Sequence, residues 1–241
     1  MPRKPEGVGQ GTVVSLVGAL TVLLGGAPTA HPARDVAPAA ETGSVAGRVQ
    51  IVAKPSRRLP SAGAYPTRTV SVAVAHDAPE LANVIVFVKA AATPAPAVRA
   101  AIHQKGEEFL PHVVAVPVGS TVEFPNDDLI FHNVFSLSKA ATFDLGRYPR
   151  GQSKHRTFPA PGLVKVYCNL HSHMNAVIRV FDHPYFAVPD SQGRFRINGL
   201  APRAYDVVAW HERVGEVTLG AAVTAGQSAT LSFSLPLQDV K

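Results

Sequence analysis

Cysteine is almost absent from this chain. Cys168 is the single one among 241 residues, so no disulfide can form within the molecule and the thiol needs another occupation. Charge is also sparse, at 17% of residues, and acidic groups are outnumbered by Lys and Arg to give a formal net charge of +6. Such a surface favours acidic partners or anionic surfaces. The basic residues are scattered and form no recognition helix or RNA-binding motif, which argues against nucleic acid. No stretch carries a sustained helical stripe of apolar residues, so a helical bundle is excluded. A serine elbow, a phosphate loop and a carboxylate pair are all missing; Asp127-Asp128 reads as a turn, and an enzyme is not expected.

Long apolar runs are missing too, with one exception. Val13 to Ala27 is uncharged, follows Arg3 and Lys4, and leads into small-residue stretches suited to cleavage. At 15 residues it is shorter than the ~20 of a spanning helix. Residues 1–30 are therefore expected to be an export signal and 31–42 a linker. The mature protein would be periplasmic or secreted, with no membrane span after signal cleavage.

What is present is strand material. "GSVAGRVQIV" alternates, with Val45, Val49 and Ile51 on one face, and "NVIVFVKA" reads as a buried strand. A strand is also expected at "TVSVAVA". "HVVAVPVGSTVEFPN" reads as strand, Gly119-Ser120 turn, strand, and "ATFDLGRYPRGQSKHRTF" as a hairpin. After Pro184 the alternation resumes through Phe195/Ile197, Tyr205/Val207/Ala209 and Leu231/Phe233/Leu235. Short runs with frequent turn signals predict an all-β sandwich or barrel.

The chemistry concentrates in "YCNLHSHMN", residues 167–175. Cys168 is followed at +3 by His171 and at +6 by Met174, one of only two methionines. Thiolate, imidazole and thioether together suit copper, above all as two His and one Cys with a weak axial Met. The second histidine must come from a neighbouring strand, and His132, opening an apolar run after Asn126-Asp127-Asp128, is the best placed. Each residue alone has a plainer reading: a small core hydrophobe for Cys168, core for Met174, a loop histidine for His132. Zinc held by Cys168, His171 and His132, or a redox-sensing thiol, are the remaining alternatives.

These stretches resemble the cupredoxins, the small blue-copper proteins, and the ligand loop is similar to the amicyanin type, Cys-x2-His-x2-Met. "VPVGSTVEFPNDDLIFHNV" is similar to the family's run into His-Asn-Val, and "FPAPGLVKVYCNLH" to its approach to the loop. The resemblance covers about residues 103–182. It implies a Greek-key sandwich over 91–183 that binds one copper ion cycling between Cu(I) and Cu(II). His132, Cys168 and His171 would be its strong ligands and Met174 the axial one. It gives Asn133 the task of tying the two ligand loops together. His173 departs from the pattern and, with His112, is a candidate for a further contact to the ion.

The flanking pieces, 43–90 and 184–241, resemble a carboxypeptidase-regulatory-like, transthyretin-type sandwich. The whole is similar to exported methylamine-utilization-like proteins, without implying amine metabolism. The expected function is single-electron transfer with a redox protein partner, an acidic one if Arg147, Arg150, Lys154 and Arg156 form a docking patch. Copper binding or delivery without a redox partner is the alternative, and a surface-contact sandwich with a vestigial copper loop is a third. Multicopper oxidase chemistry would need another His-rich cluster, and the only His-x-His pair is His171-Ser172-His173.

Overall fold

The computed structural model describes residues 41–54 and 80–238, and the chain is all-β. The expected export signal, most of the linker and the "TVSVAVA" strand lie outside the described residues. Among those described, no helix is long and apolar enough to cross a membrane.

The strands begin with β1 (Gly43–Lys54) and β2 (Val84–Val88). The middle of the chain gives β3 (Arg99–Ala101), β4 (His103–Gln104), β5 (Phe109–Leu110), β6 (Val113–Pro117), β7 (Thr121–Pro125) and β8 (His132–Ser138). It continues with β9 (Ala141–Tyr148), β10 (Ser153–Thr157), β11 (Gly162–Tyr167) and β12 (Asn175–Phe181). The last third holds β13 (Phe186–Ala187), β14 (Arg194–Leu200), β15 (Arg203–His211), β16 (Gly215–Val223) and β17 (Ser228–Gln238).

Flanking and central strands segregate. β14-β1-β17 and β13-β2-β15-β16 form two sheets from the two ends of the described chain, with β1 and β17 parallel. Their inner faces bury Val45, Val49, Val84, Val86, Val88, Phe195, Ile197, Phe233 and Leu235 in one core. Gly47 lies between Val45 and Val49 of β1 because the β17 backbone comes close: a Cβ there would sit 2.0 Å from the Leu231 carbonyl oxygen. The central strands make β10-β7-β3 and β6-β12-β11-β8-β9, enclosing a second core of Val122, Phe124, Val134, Val164, Val166, Cys168, Met174 and Ile178.

A third apolar layer joins the two sandwiches. Ile85 and Phe87 of β2 and Val208 and Trp210 of β15 meet Val113 of β6 and Val177 and Phe181 of β12. β2 is therefore buried on both faces, which explains its unbroken apolar run. Arg179 threads this layer. Its guanidinium lies 4.3 Å from the Phe87 ring and 5.5 Å from those of Phe181 and Trp210, and it bonds Glu216 at 3.1 Å.

Two expected local pairings are not formed. β6 and β7, read as neighbours across Gly119-Ser120, enter different sheets; β9 and β10 do the same across Pro149–Gln152. β10 pairs with β7, while β9 pairs with β8. Both connections turn the corner of the sandwich. Their backbone groups are satisfied elsewhere: Gly119 N–H donates to Phe158 O, and Gly151 N–H to Asn126 O.

Candidate metal centre

Cys168 lies just past the end of β11, and His132 is the first residue of the adjacent β8. The loop after Cys168 closes on itself: Met174 N–H donates to His171 O at 3.0 Å and Cys168 N–H to Met174 O at 3.3 Å. A seven-residue turn folded this tightly returns His171 over the sulfur. His132 Nδ1 and His171 Nδ1 stand 3.1 Å apart, and Cys168 Sγ lies 4.0 Å from the first and 3.8 Å from the second. Among the described residues this is the one group of three or more His, Cys, Asp or Glu side chains close enough to share an ion.

The spacing is that of ligands. The point equidistant from the three atoms is about 2.1 Å from each, against ~2.0–2.1 Å for a metal–imidazole bond and ~2.3 Å for a metal–thiolate bond. A zinc or copper ion fits that triangle. Thiolate with two imidazoles and a thioether in the adjoining core is a soft donor set that favours copper. Met174 is fully buried in the same core cluster as Cys168.

His132 is completely buried and His171 half-buried, so the centre meets the surface at His171. Beside these two histidines in the chain stand exposed apolar side chains: Leu129 (83% exposed), Ile130, Phe131 (55%) and Leu170.

The surroundings hold the donor side chains in place. Asn133 ties the two ligand-bearing segments through its backbone, whose N–H points at Cys168 Sγ at 3.5 Å. Its side chain does something else: Nδ2 donates to Asp144 Oδ1 at 2.7 Å, while the buried Oδ1 has no partner. Asp144 also accepts from Gly146 N–H, and these two bonds hold its carboxyl below the usual range. On the opposite edge of His132, Nε2 lies 2.8 Å from Asp128 Oδ2. Asp128 in turn accepts from the amides of Gly106 and Glu107. Burial works against this carboxylate, yet the two amides and the His132 ring outweigh it and keep it below its ordinary value. Gly106 and Glu107 both have positive φ, 65° and 58°, the pair of left-handed residues that a two-residue hairpin turn between β4 and β5 requires.

The other candidates are placed differently. His173 is turned to Glu107, Nε2 to Oε2 at 3.7 Å, outside the donor triangle. His112 is a brace: its Nδ1 bonds Asn175 O at 3.0 Å and its Nε2 bonds Glu212 at 3.0 Å, leaving neither nitrogen for an ion. Of the basic run, Arg147 and Arg150 are exposed, whereas Lys154 lies over the Tyr148 ring and Arg156 over Phe143. Asp128 was missed by sequence reasoning, which saw only a turn. The signal was there, an acid four residues before the histidine, but only the fold shows that it faces the ring.

No family model matches the chain and no curated relative matches it. Solved structures match in part. A copper-containing nitrite reductase from Thermus scotoductus SA-01 is 28% identical over 37% of this chain, with TM-score 0.32. This chain spans 23% of that protein's length. A purple cupredoxin from Nitrosopumilus maritimus is 24% identical over 34% of this chain and 99% of its own, with TM-score 0.31. Amicyanin from Paracoccus versutus is 24% identical over 40% of this chain and 97% of its own, with TM-score 0.32. These neighbours are cupredoxins or contain copper, and they match less than half of this chain.

Proposed function

We propose that this chain is an exported one-electron carrier holding one copper ion between His132, Cys168 and His171, with Met174 as a weak fourth ligand. The observation that carries the reading is the convergence of the three donor atoms at bonding spacing in a buried pocket with one half-exposed histidine edge. When bound, the ion supplies reversible one-electron chemistry, for which this mixed donor set suits both oxidation states. The protein's own share is rigidity. Cys168 is fixed by the Asn133 amide, His132 by its strand and by Asp128, and His171 by the closed loop, so the donors need not move between the two states.

His171 is the edge through which electrons would pass, and Leu129, Ile130, Phe131 and Leu170 would face the partner. Arg147 and Arg150 would steer an acidic partner's approach. Location outside the cytoplasm follows from the Val13–Ala27 segment, and the division into a copper domain (91–183) and a flanking sandwich domain (43–90 with 184–241) is part of the same reading. Delivery of copper without a redox partner would be favoured by free imidazoles at His173 and His112; their engagement with Glu107 and Glu212 favours the carrier. Catalysis is not part of the proposal.

Copper-loaded protein should show an intense thiolate-to-copper absorption in the visible and be reduced and reoxidised repeatedly by one electron. Cys168→Ala should abolish the band. A colourless cupric protein would overturn the assignment.

A further inference from the structure

The carboxylate on the far side of His132 does more than hold the ring in place. We infer that Asp128 is a positioning residue for the centre: it selects which nitrogen of His132 faces the ion and makes that nitrogen a stronger donor. This rests on the copper reading for its consequences, but its geometry stands by itself.

His132 has two ring nitrogens in distinct settings. Nε2 meets Asp128 Oδ2 at 2.8 Å, while Nδ1 points into the triangle with Cys168 Sγ and His171 Nδ1. A carboxylate can only accept, so the proton between them belongs on Nε2 and Nδ1 keeps a bare lone pair. The ring is fully buried, and Asp128 is the partner it meets on its Nε2 edge.

Asp128 is itself immobilised. Gly106 N–H donates to Oδ1 at 2.6 Å, Glu107 N–H to Oδ2 at 2.9 Å, and Asp128's own amide donates to Asn126 Oδ1 at 3.0 Å. The β4–β5 hairpin tip is thus a backbone cradle for the carboxylate, built on two left-handed residues of which Glu107 is one that rarely adopts that conformation. The same Glu107 reaches His173, between ligands His171 and Met174. One hairpin tip therefore contacts both ligand-bearing segments.

Two consequences distinguish this from a merely structural bond. A carboxylate behind an imidazole raises its basicity, and such partners typically change metal affinity ~10–100-fold when removed. A fixed negative charge near the ion also favours the more positive oxidation state, so its loss must weaken Cu(II) more than Cu(I) and raise the reduction potential.

The test compares wild type, Asp128→Ala, Asp128→Asn and the neighbouring Asp127→Ala, each with Cu(I) and Cu(II) in chelator competition, and measures midpoint potentials. Long-range proton–nitrogen NMR of the metal-free proteins reads the His132 tautomer. The expected results are a proton on Nε2 of wild-type His132, and ~10–100-fold weaker Cu(II) binding in Asp128→Ala. Asp128→Asn should lose more Cu(II) than Cu(I) affinity and shift its potential upward, and Asp127→Ala should match wild type. Unchanged affinity and potential in both Asp128 variants would overturn the inference, as would equal losses for Cu(I) and Cu(II). A wild-type proton on Nδ1 of His132 would overturn it without any metal. Failure of wild type to bind copper through Cys168 would instead sink the carrier reading.

Discussion

Replacing Arg179 by Ala should loosen the layer that joins the two sandwiches, and the structure sets the size of the effect. Its side chain is 19% exposed, and its guanidinium lies within 4.3 Å of the Phe87 ring centre. A partly desolvated stacking contact of this kind contributes about 1–2 kcal/mol. The ion pair to Glu216, itself 42% exposed, adds no more than about 1 kcal/mol because solvent screens it. The substitution also deletes the Cγ and Cδ methylenes of this 19%-exposed side chain, which costs on the order of 1–2 kcal/mol. The expected loss is about 3 kcal/mol. Arg179→Met keeps most of the stem and should recover about half of that. The chain offers its own probe, since Trp210 is the only tryptophan and sits in this layer. Guanidinium unfolding followed by its fluorescence should show the Ala variant's midpoint lowered, with red-shifted emission at denaturant concentrations that leave wild type native. A change below ~0.5 kcal/mol would place Arg179 with ordinary surface residues and refute the claim that this layer couples the sandwiches.

Three further outcomes concern other parts of the molecule. Gly47→Ala should destabilise the flanking sandwich by about 2 kcal/mol or more in chemical unfolding, because the new methyl would meet the Leu231 carbonyl at 2.0 Å. Gly220→Ala meets nothing within 4 Å and should stay within about 0.5 kcal/mol of wild type. Burial acts to raise the Glu212 carboxyl, but Lys165 and His112 outweigh it and hold it below its ordinary value of 4.5. A depressed carboxylate contributes stability above that value and loses it as pH falls through the lower folded value. The stability gap between wild type and Glu212→Gln should accordingly be full near neutrality and close progressively below about pH 4.5, measured by unfolding across pH.

Much of the architecture can be read from residue order, because strand periodicity is a local property. The alternation at Val45, Val49 and Ile51 places those residues on the core face, and the unbroken run at Val84–Val88 marks a strand buried on both sides. What covers the second side is non-local: Val113, Val177 and Phe181 come from a different sandwich. The β9–β10 connection misleads for a related reason, since turn residues such as Pro149 and Gly151 serve a corner between sheets as well as a hairpin.

The donors converge from Cys168 and His171, three residues apart, and His132, which only strand adjacency brings near. Spacing suggested all three. It could not show that Asn133 uses its backbone for the sulfur and its side chain for Asp144, or that His112 spends both nitrogens on Asn175 and Glu212. Asp128 was hidden because an acid after Asn126 also makes a sound turn. Its facing of His132 depends on a hairpin tip some twenty residues earlier.

The most direct test of the centre is X-ray absorption at the copper edge of the loaded, full-length protein. The proposed copper centre predicts a first shell of one short sulfur and two imidazole nitrogens, with the sulfur lost in Cys168→Ala and one imidazole lost in His132→Ala. A first shell of nitrogen and oxygen alone in the wild-type protein would contradict it.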